Sequence, residues 1–178
     1  MKHVLIVVDM QTDFVDGALG TPEAVAILEN VTAKIKSYAA DPDGIIFVTY
    51  DTHAEDYMTT SEGKHLPVPH CIKGTAGWEL HPTVAAALEG VSYTPVEKPT
   101  FGSVALPALV KEAAAGEDFA VELIGLCTDI CVVSNTLLLK AHYPEVSISV
   151  DASCCAGVTN ESHTTALQAM RAVQIEIV

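Results

Sequence analysis

The chain has 178 residues, 49% hydrophobic and 18% charged, with a formal net charge of −14. These values build a single domain, residues 1–178, with a sizeable core, and exclude a disordered chain. They also exclude nucleic acid, whose phosphates need a basic surface, and disfavour an anionic membrane surface.

The opening Met1-Lys2-His3-Val4-Leu5-Ile6-Val7-Val8-Asp9 is too short an apolar stretch for a signal peptide, and no run reaches membrane-spanning length. It reads as a strand over 4–8, apolar and β-branched, of the kind covered on both faces. Thr21-Pro22-Glu23 supplies an N-cap, an N1 proline and an early acid, so a helix runs to about residue 39, before Asp41-Pro42-Asp43-Gly44. A second apolar strand covers 45–50. Residues 52–80 lack periodicity and hold three of the seven histidines, and a loop of that length is usually functional. A short helix at 83–88, a short strand at 91–94 and a helix at 105–115 follow. Then come a strand at 120–126, an apolar helix at 130–142 and a strand at 146–150. A helix at 161–172 and a strand at 175–178 complete the pattern. Asn160-Glu161-Ser162 matches a glycosylation triplet but reads as the start of that helix. The alternation predicts an α/β fold: a doubly wound, six-stranded, mostly parallel sheet with helices on both faces. Five cysteines, an odd number, fit a reducing cytosol and hence a cytoplasmic protein.

In a parallel sheet all strand carboxyl ends share one edge, where ligands bind. Asp9 ends the first strand and Asp51 the second. Lys98 follows the third, and Cys127 and Cys131 follow the fourth, at a helix entry. Most free cysteines are small core hydrophobes. A helix N-terminus, however, favours a thiolate, and its N–H groups can hold a developing oxyanion. Asp9 is the candidate base for the Cys131 thiol and Lys98 the candidate cation beside both. Asp after a strand also commonly ties its own loop, and lysines are commonly solvated.

Asp51-Thr52-His53 turns two donors to one side of a strand end, and Glu62, His65 and His70 follow. A carboxylate and two imidazoles suit a divalent metal, zinc above all, with iron or manganese also accommodated. The spacing equally allows a polar loop with scattered histidines. Cys71 is a candidate soft neighbour of that metal, Cys154 and Cys155 read as packed behind the sheet edge, and His142 and His163 as surface residues. No phosphate loop, dinucleotide fingerprint or Gly-x-Ser-x-Gly elbow is present.

Asp9-Met10-Gln11-Thr12-Asp13-Phe14, Lys98-Pro99-Thr100-Phe101-Gly102-Ser103 and Gly125-Leu126-Cys127-Thr128-Asp129-Ile130-Cys131-Val132 resemble, in order, the motifs of the isochorismatase-like cysteine hydrolases. Asp51-x-His53 and Pro69-His70-Cys71 resemble the metal segment of the nicotinamidase branch. The resemblance implies a catalytic Asp9, Lys98 and Cys131, and a metal held by Asp51, His53 and His70 with Glu62 added. It also implies an oxyanion hole from the Cys127 and Cys131 N–H groups, a cis peptide between Leu126 and Cys127, and ring walls at Phe14, Leu19 and Phe101. The expected reaction is hydrolysis of nicotinamide through a Cys131 thioester, in a protein able to form homo-oligomers. Leu66-Pro67-Val68-Pro69 lacks the aromatic often found there in nicotinamidases. This departure keeps open a metal-independent amidase acting on another small amide or carbamoyl compound. A non-catalytic metal- or redox-sensing domain is the reading from a different class.

Overall fold

The structure, a computed structural model, describes residues 1–178. Its strands are β1 (Lys2–Val8), β2 (Gly44–Asp51), β3 (Thr94–Lys98), β4 (Phe119–Leu126), β5 (Ile148–Ala156) and β6 (Glu176–Ile177). They form one sheet in the order β3-β2-β1-β4-β5-β6, and every pairing is parallel. The order reverses between β1 and β4, which opens a crevice at their carboxyl ends.

The apolar run of β1 is covered on both faces. Leu5 and Val7 point into one apolar cluster, and Val4, Ile6 and Val8 into the other. The first layer is closed by α1 (Thr12–Val15), α2 (Pro22–Ala26), α3 (Leu28–Ala40) and α5 (Pro82–Ala87), the second by α6 (Leu106–Ala113), α7 (Val133–His142) and α8 (Asn160–Ala172). The short α4 (Ser61–His65) lies in the long loop after β2. Thr21 caps α2 by accepting from the Ala24 N–H, as its sequence predicts. The glycosylation triplet opens α8, capped by Thr159. No helix is long and apolar enough to cross a membrane.

Four elements differ from expectation. The helix expected through residue 39 is interrupted at Ile27, with no Gly or Pro to mark the break. The third strand is Thr94–Lys98, not 91–94. It is an edge strand, so Pro95 is tolerated and only Val96 and Lys98 are buried, which makes it look polar in sequence. β5 continues to Ala156, past Asp151 and Ser153. The helix at 130–142 begins instead with a wider π-helical turn at 128–132, before α7.

Asp151 is tolerated inside β5 because Lys34 of α3 lies 2.9 Å from it and 3.0 Å from Glu122 of β4. Burial alone would raise the Asp151 carboxyl, but hydrogen bonds from Lys34 and Ser153 hold it below its ordinary value. A depressed carboxyl stabilises the fold above its unfolded pKa and loses that contribution as pH falls through the folded one. Asp151→Asn is therefore expected to lower the melting temperature at pH 7 and to narrow the gap to wild type between about pH 4 and pH 2. Thermal melts across that range check it.

Candidate active site

Three of the expected residues meet in one buried cluster at the switch point. Gly125 has φ +114°, and a Cβ there would lie 2.2 Å from the Val8 carbonyl, so only glycine lets β4 approach β1 this closely. The Leu126–Cys127 peptide is cis, as the resemblance implied. Asp9 itself adopts φ +48°, in the left-handed region that Asp tolerates better than most L-residues. Its Oδ1 accepts the Thr49 hydroxyl at 2.6 Å, and its Oδ2 sits 2.6 Å from Lys98 Nζ. Lys98 Nζ is also 3.5 Å from Cys131 Sγ and 3.4 Å from Asp51 Oδ1. Asp9 is fully buried, Lys98 1% exposed and Cys131 4%.

Burial sets the protonation states. It raises the Asp9 carboxyl above its ordinary value, against the opposing pull of Lys98. Burial also drives the Cys131 thiol well up, helped by the Asp9 charge and opposed by Lys98. That direction agrees with the expectation that the Cys131 thiol needs Asp9 as its base. Burial opposes the Lys98 charge, but the carboxylates of Asp9 and Asp51 outweigh it and raise the ammonium above its ordinary value. A thiol raised by burial, beside a buried carboxylate and a cation, suits proton transfer to that carboxylate.

The turn after Cys127 supplies N–H groups. The Cys127 carbonyl accepts from the Ile130 and Val132 N–H groups at 3.1 Å, the slot a regular α-turn would give to the Cys131 N–H. Burial, with Asp129 and Asp9, pushes the Cys127 thiol up to about 12.

The second cluster lies beside the first. One donor atom each from Asp51, His53, Glu62 and His70 falls within 4.8 Å of all the others. His53 Nε2 is 3.0 Å from Asp51 Oδ2 and 3.7 Å from Glu62 Oε1; His70 Nε2 is 3.5 and 3.6 Å from the same oxygens. His70 Nδ1 lies 2.8 Å from the Val68 carbonyl, so it donates there and leaves the Nε2 lone pair facing the cluster. Burial disfavours the Asp51 charge, but the adjoining imidazoles of His53 and His70 and the Lys98 charge hold its carboxyl below the usual range. Two carboxylates and two imidazoles converging on one point fit a divalent cation. His65 does not join them; its Nδ1 engages the Ser61 carbonyl, and it lines the cavity instead. Cys71 is buried in the apolar layer, and burial raises its thiol.

One cavity of about 790 Å³ joins the two clusters. Asp51, Glu62 and His70 line it together with Cys127 and Cys131, and Phe14, Leu19 and Phe101 are among its walls. Phe14 packs against the His70 ring at 5.3 Å, while Phe101 remains 43% exposed. Cys154 and Cys155 lie buried in β5, and His142 is exposed. His163 is not a free surface residue: its Nδ1 is 2.8 Å from the buried Thr128 hydroxyl.

Sequence reasoning missed several residues that hold the site. Gln11 donates to the Asp51 carbonyl and accepts from its N–H, fixing the end of β2. Asp13 accepts from the Cys71 N–H next to His70. Tyr57 packs edge-on against His53 and His70 at 4.8 and 5.0 Å. Gln11 and Asp13 stand inside the quoted opening motif, the one available signal; nothing local marks Thr49 or Tyr57.

Fold and site together define a parallel α/β domain with a buried carboxylate, ammonium and thiol at its switch point and a metal-type donor cluster alongside. The chain belongs to the isochorismatase family, whose Isochorismatase domain matches residues 3–178. It is 27% identical over 186 residues to the nicotinamidase/pyrazinamidase of Mycobacterium tuberculosis, covering 99% of this chain and 98% of that one. The crystal structure of nicotinamidase/pyrazinamidase from Bacillus subtilis superposes with a TM-score of 0.85 at 25% identity, covering 100% of both chains. The pyrazinamidase of Pyrococcus horikoshii, solved in complex with zinc, gives 0.80 at 25% identity, covering 100% of this chain and 99% of that one.

Proposed function

We propose that this protein is a metal-assisted amidohydrolase that converts nicotinamide to nicotinate and ammonia, with Cys131 as nucleophile. The observation that carries the reading is the single cavity joining the Asp9–Lys98–Cys131 cluster to the four-donor cluster. Similarity to nicotinamidases over the whole chain supports the substrate.

In this reading Asp9 Oδ2 takes the Cys131 proton, and the thiolate attacks the carboxamide carbon. Lys98 stays charged and stabilises the anionic cluster while the Cys127 and Cys131 N–H groups hold the oxyanion. Asp9 returns the proton to the departing nitrogen, ammonia leaves, and a thioester remains on Cys131. Water, deprotonated by Asp9, then attacks the thioester carbon; the C–S bond breaks to release the acid, and Asp9 returns the proton to the Cys131 sulfur. Asp51, His53, Glu62 and His70 hold the metal, zinc by its fit to the donor set and by the zinc-bound relative. When bound, the metal offers a Lewis-acidic position for a pyridine nitrogen and so orients the carboxamide. Phe14, Leu19 and Phe101 pack the ring. Five unpaired cysteines support a cytoplasmic location, and the proposal includes homo-oligomers, which sedimentation tests.

Leu66 lines the cavity at the position range that lacks an aromatic. That favours, as the second reading, a metal-independent amidase on a different small amide. An ammonia-release screen of nicotinamide, pyrazinamide and aliphatic amides, with metal content measured on the same sample, separates the two. Nicotinamide and pyrazinamide are expected to turn over well ahead of the aliphatic amides in metal-loaded protein. Preference for an aliphatic amide in metal-free protein would transfer support to the second reading.

A further inference from the structure

Thr100 and Phe101, on the segment 99–103, line the cavity, and Phe101 is 43% exposed. Cys127, Ile130 and Cys131, of the turn after β4, line it as well. A single fully buried side chain, Asn135 of α7, joins the two. Its Oδ1 accepts from the Ser103 N–H at 2.9 Å. Its Nδ2 donates to the Cys131 carbonyl at 2.8 Å and to the Phe101 carbonyl at 3.3 Å.

We propose that Asn135 is a positioning residue that sets the separation of the Phe101 wall from the Cys131 thiol, and with it the width and selectivity of the substrate slot. The inference rests on the amidohydrolase reading for its kinetic test only. A carboxamide is the one side-chain group of this size that offers an acceptor and two donors in a plane, and here all three are used. A carboxylate would keep the bond from Ser103 but face two carbonyl oxygens with no proton to give. Alanine would strand a buried N–H and two carbonyls. The wall also lies close on α7: a Cβ at Gly102 would meet Leu138 Cδ1 at 2.7 Å. Lys98, by contrast, is held by its strand, opposite Asp51 and with its carbonyl accepting from the Thr52 N–H at 2.9 Å. Loosening the wall therefore changes the fit of the substrate ring more than the position of the cation.

Asn135→Ala and Asn135→Asp are expected to raise KM for nicotinamide about tenfold and change kcat by less than about threefold, at a temperature well below either melting point. Both should also narrow the preference for nicotinamide over a bulkier bicyclic heteroaryl carboxamide. Phe101→Ala, at an exposed position, should reproduce the KM rise in a folded protein, and the double variant should add little to it. Amide exchange followed by NMR should show protection at Ser103 falling about a hundredfold in Asn135→Ala, with β1 and β4 unchanged. A lowered melting temperature with KM and selectivity unaltered would make Asn135 merely structural and overturn the inference, as would an unchanged KM in Phe101→Ala. Should the wild type leave nicotinamide intact, the functional reading fails by itself. Unchanged Ser103 protection in Asn135→Ala then overturns the clamp, and its loss supports it.

Discussion

Cys131→Ala is expected to lose at least about 10³-fold in ammonia release from nicotinamide while keeping the fold. The sulfur is 4% exposed and sits 3.5 Å from Lys98, so its removal takes away the only thiol in contact with the buried ion pair. It leaves Asp9 and Lys98 still joined at 2.6 Å, so no buried charge loses its partner. The stability change should stay near ~1 kcal/mol, the ordinary scale of a single substitution. Lys98→Met provides the contrast. It also silences the reaction, but it deprives a fully buried carboxylate of its cation, an effect of about 3–5 kcal/mol when uncompensated. Because burial already raises the Asp9 carboxyl, that group can take up a proton and recover part of the loss. Activity and melting temperature should therefore separate in Cys131→Ala and fall together in Lys98→Met. Wild-type turnover in folded Cys131→Ala protein would remove the nucleophile from the mechanism.

The second large effect concerns the metal. His53→Ala is expected to abolish stoichiometric metal and to reduce nicotinamide hydrolysis by more than about 10²-fold, beyond what loss of an outer-shell partner produces. Chelation of the wild type should do the same, and zinc added back should restore activity to the wild type but not to the variant. The clusters share Asp51, whose Oδ1 faces Lys98 while its Oδ2 faces both imidazoles. Removing the cation leaves Asp51 and Glu62 facing each other with only the histidines between them. Metal binding should accordingly stabilise the fold, by about 2.7 kcal/mol at a hundredfold excess over Kd. Thermal melts with and without zinc, and elemental analysis of each sample, measure both consequences. Hydrolysis of nicotinamide indifferent to chelation in metal-free protein would take the metal out of the mechanism.

Much of this architecture was legible because its physics is local. β1 and β2 are covered on both faces and appear as largely apolar runs, and Thr21-Pro22 carries its own cap. β3 was misread because an edge strand buries alternate residues, and one of those here is a lysine. β5 was cut short because the partner that neutralises Asp151 comes from α3. The π-helical turn after Cys127 has no local marker at all.

The sequence by itself determined the alternation of strands and helices, the order of the motifs and the residue types at each strand end. From these Asp9, Lys98 and Cys131 could be named, and Asp51, His53, Glu62 and His70 beside them. Only the tertiary structure decided that Lys98 is buried against Asp9, that burial raises the Cys131 thiol, that Glu62 rather than His65 meets the histidines, and that Asn135 bonds both Ser103 and Cys131. Apart from the placement of Glu62, these depend on contacts between residues tens of positions apart: Thr49 with Asp9, Asn135 with Ser103, Lys98 with Cys131. Periodicity and capping act within a few residues, whereas burial and ion pairing exist only once the sheet has brought its strand ends to a common edge.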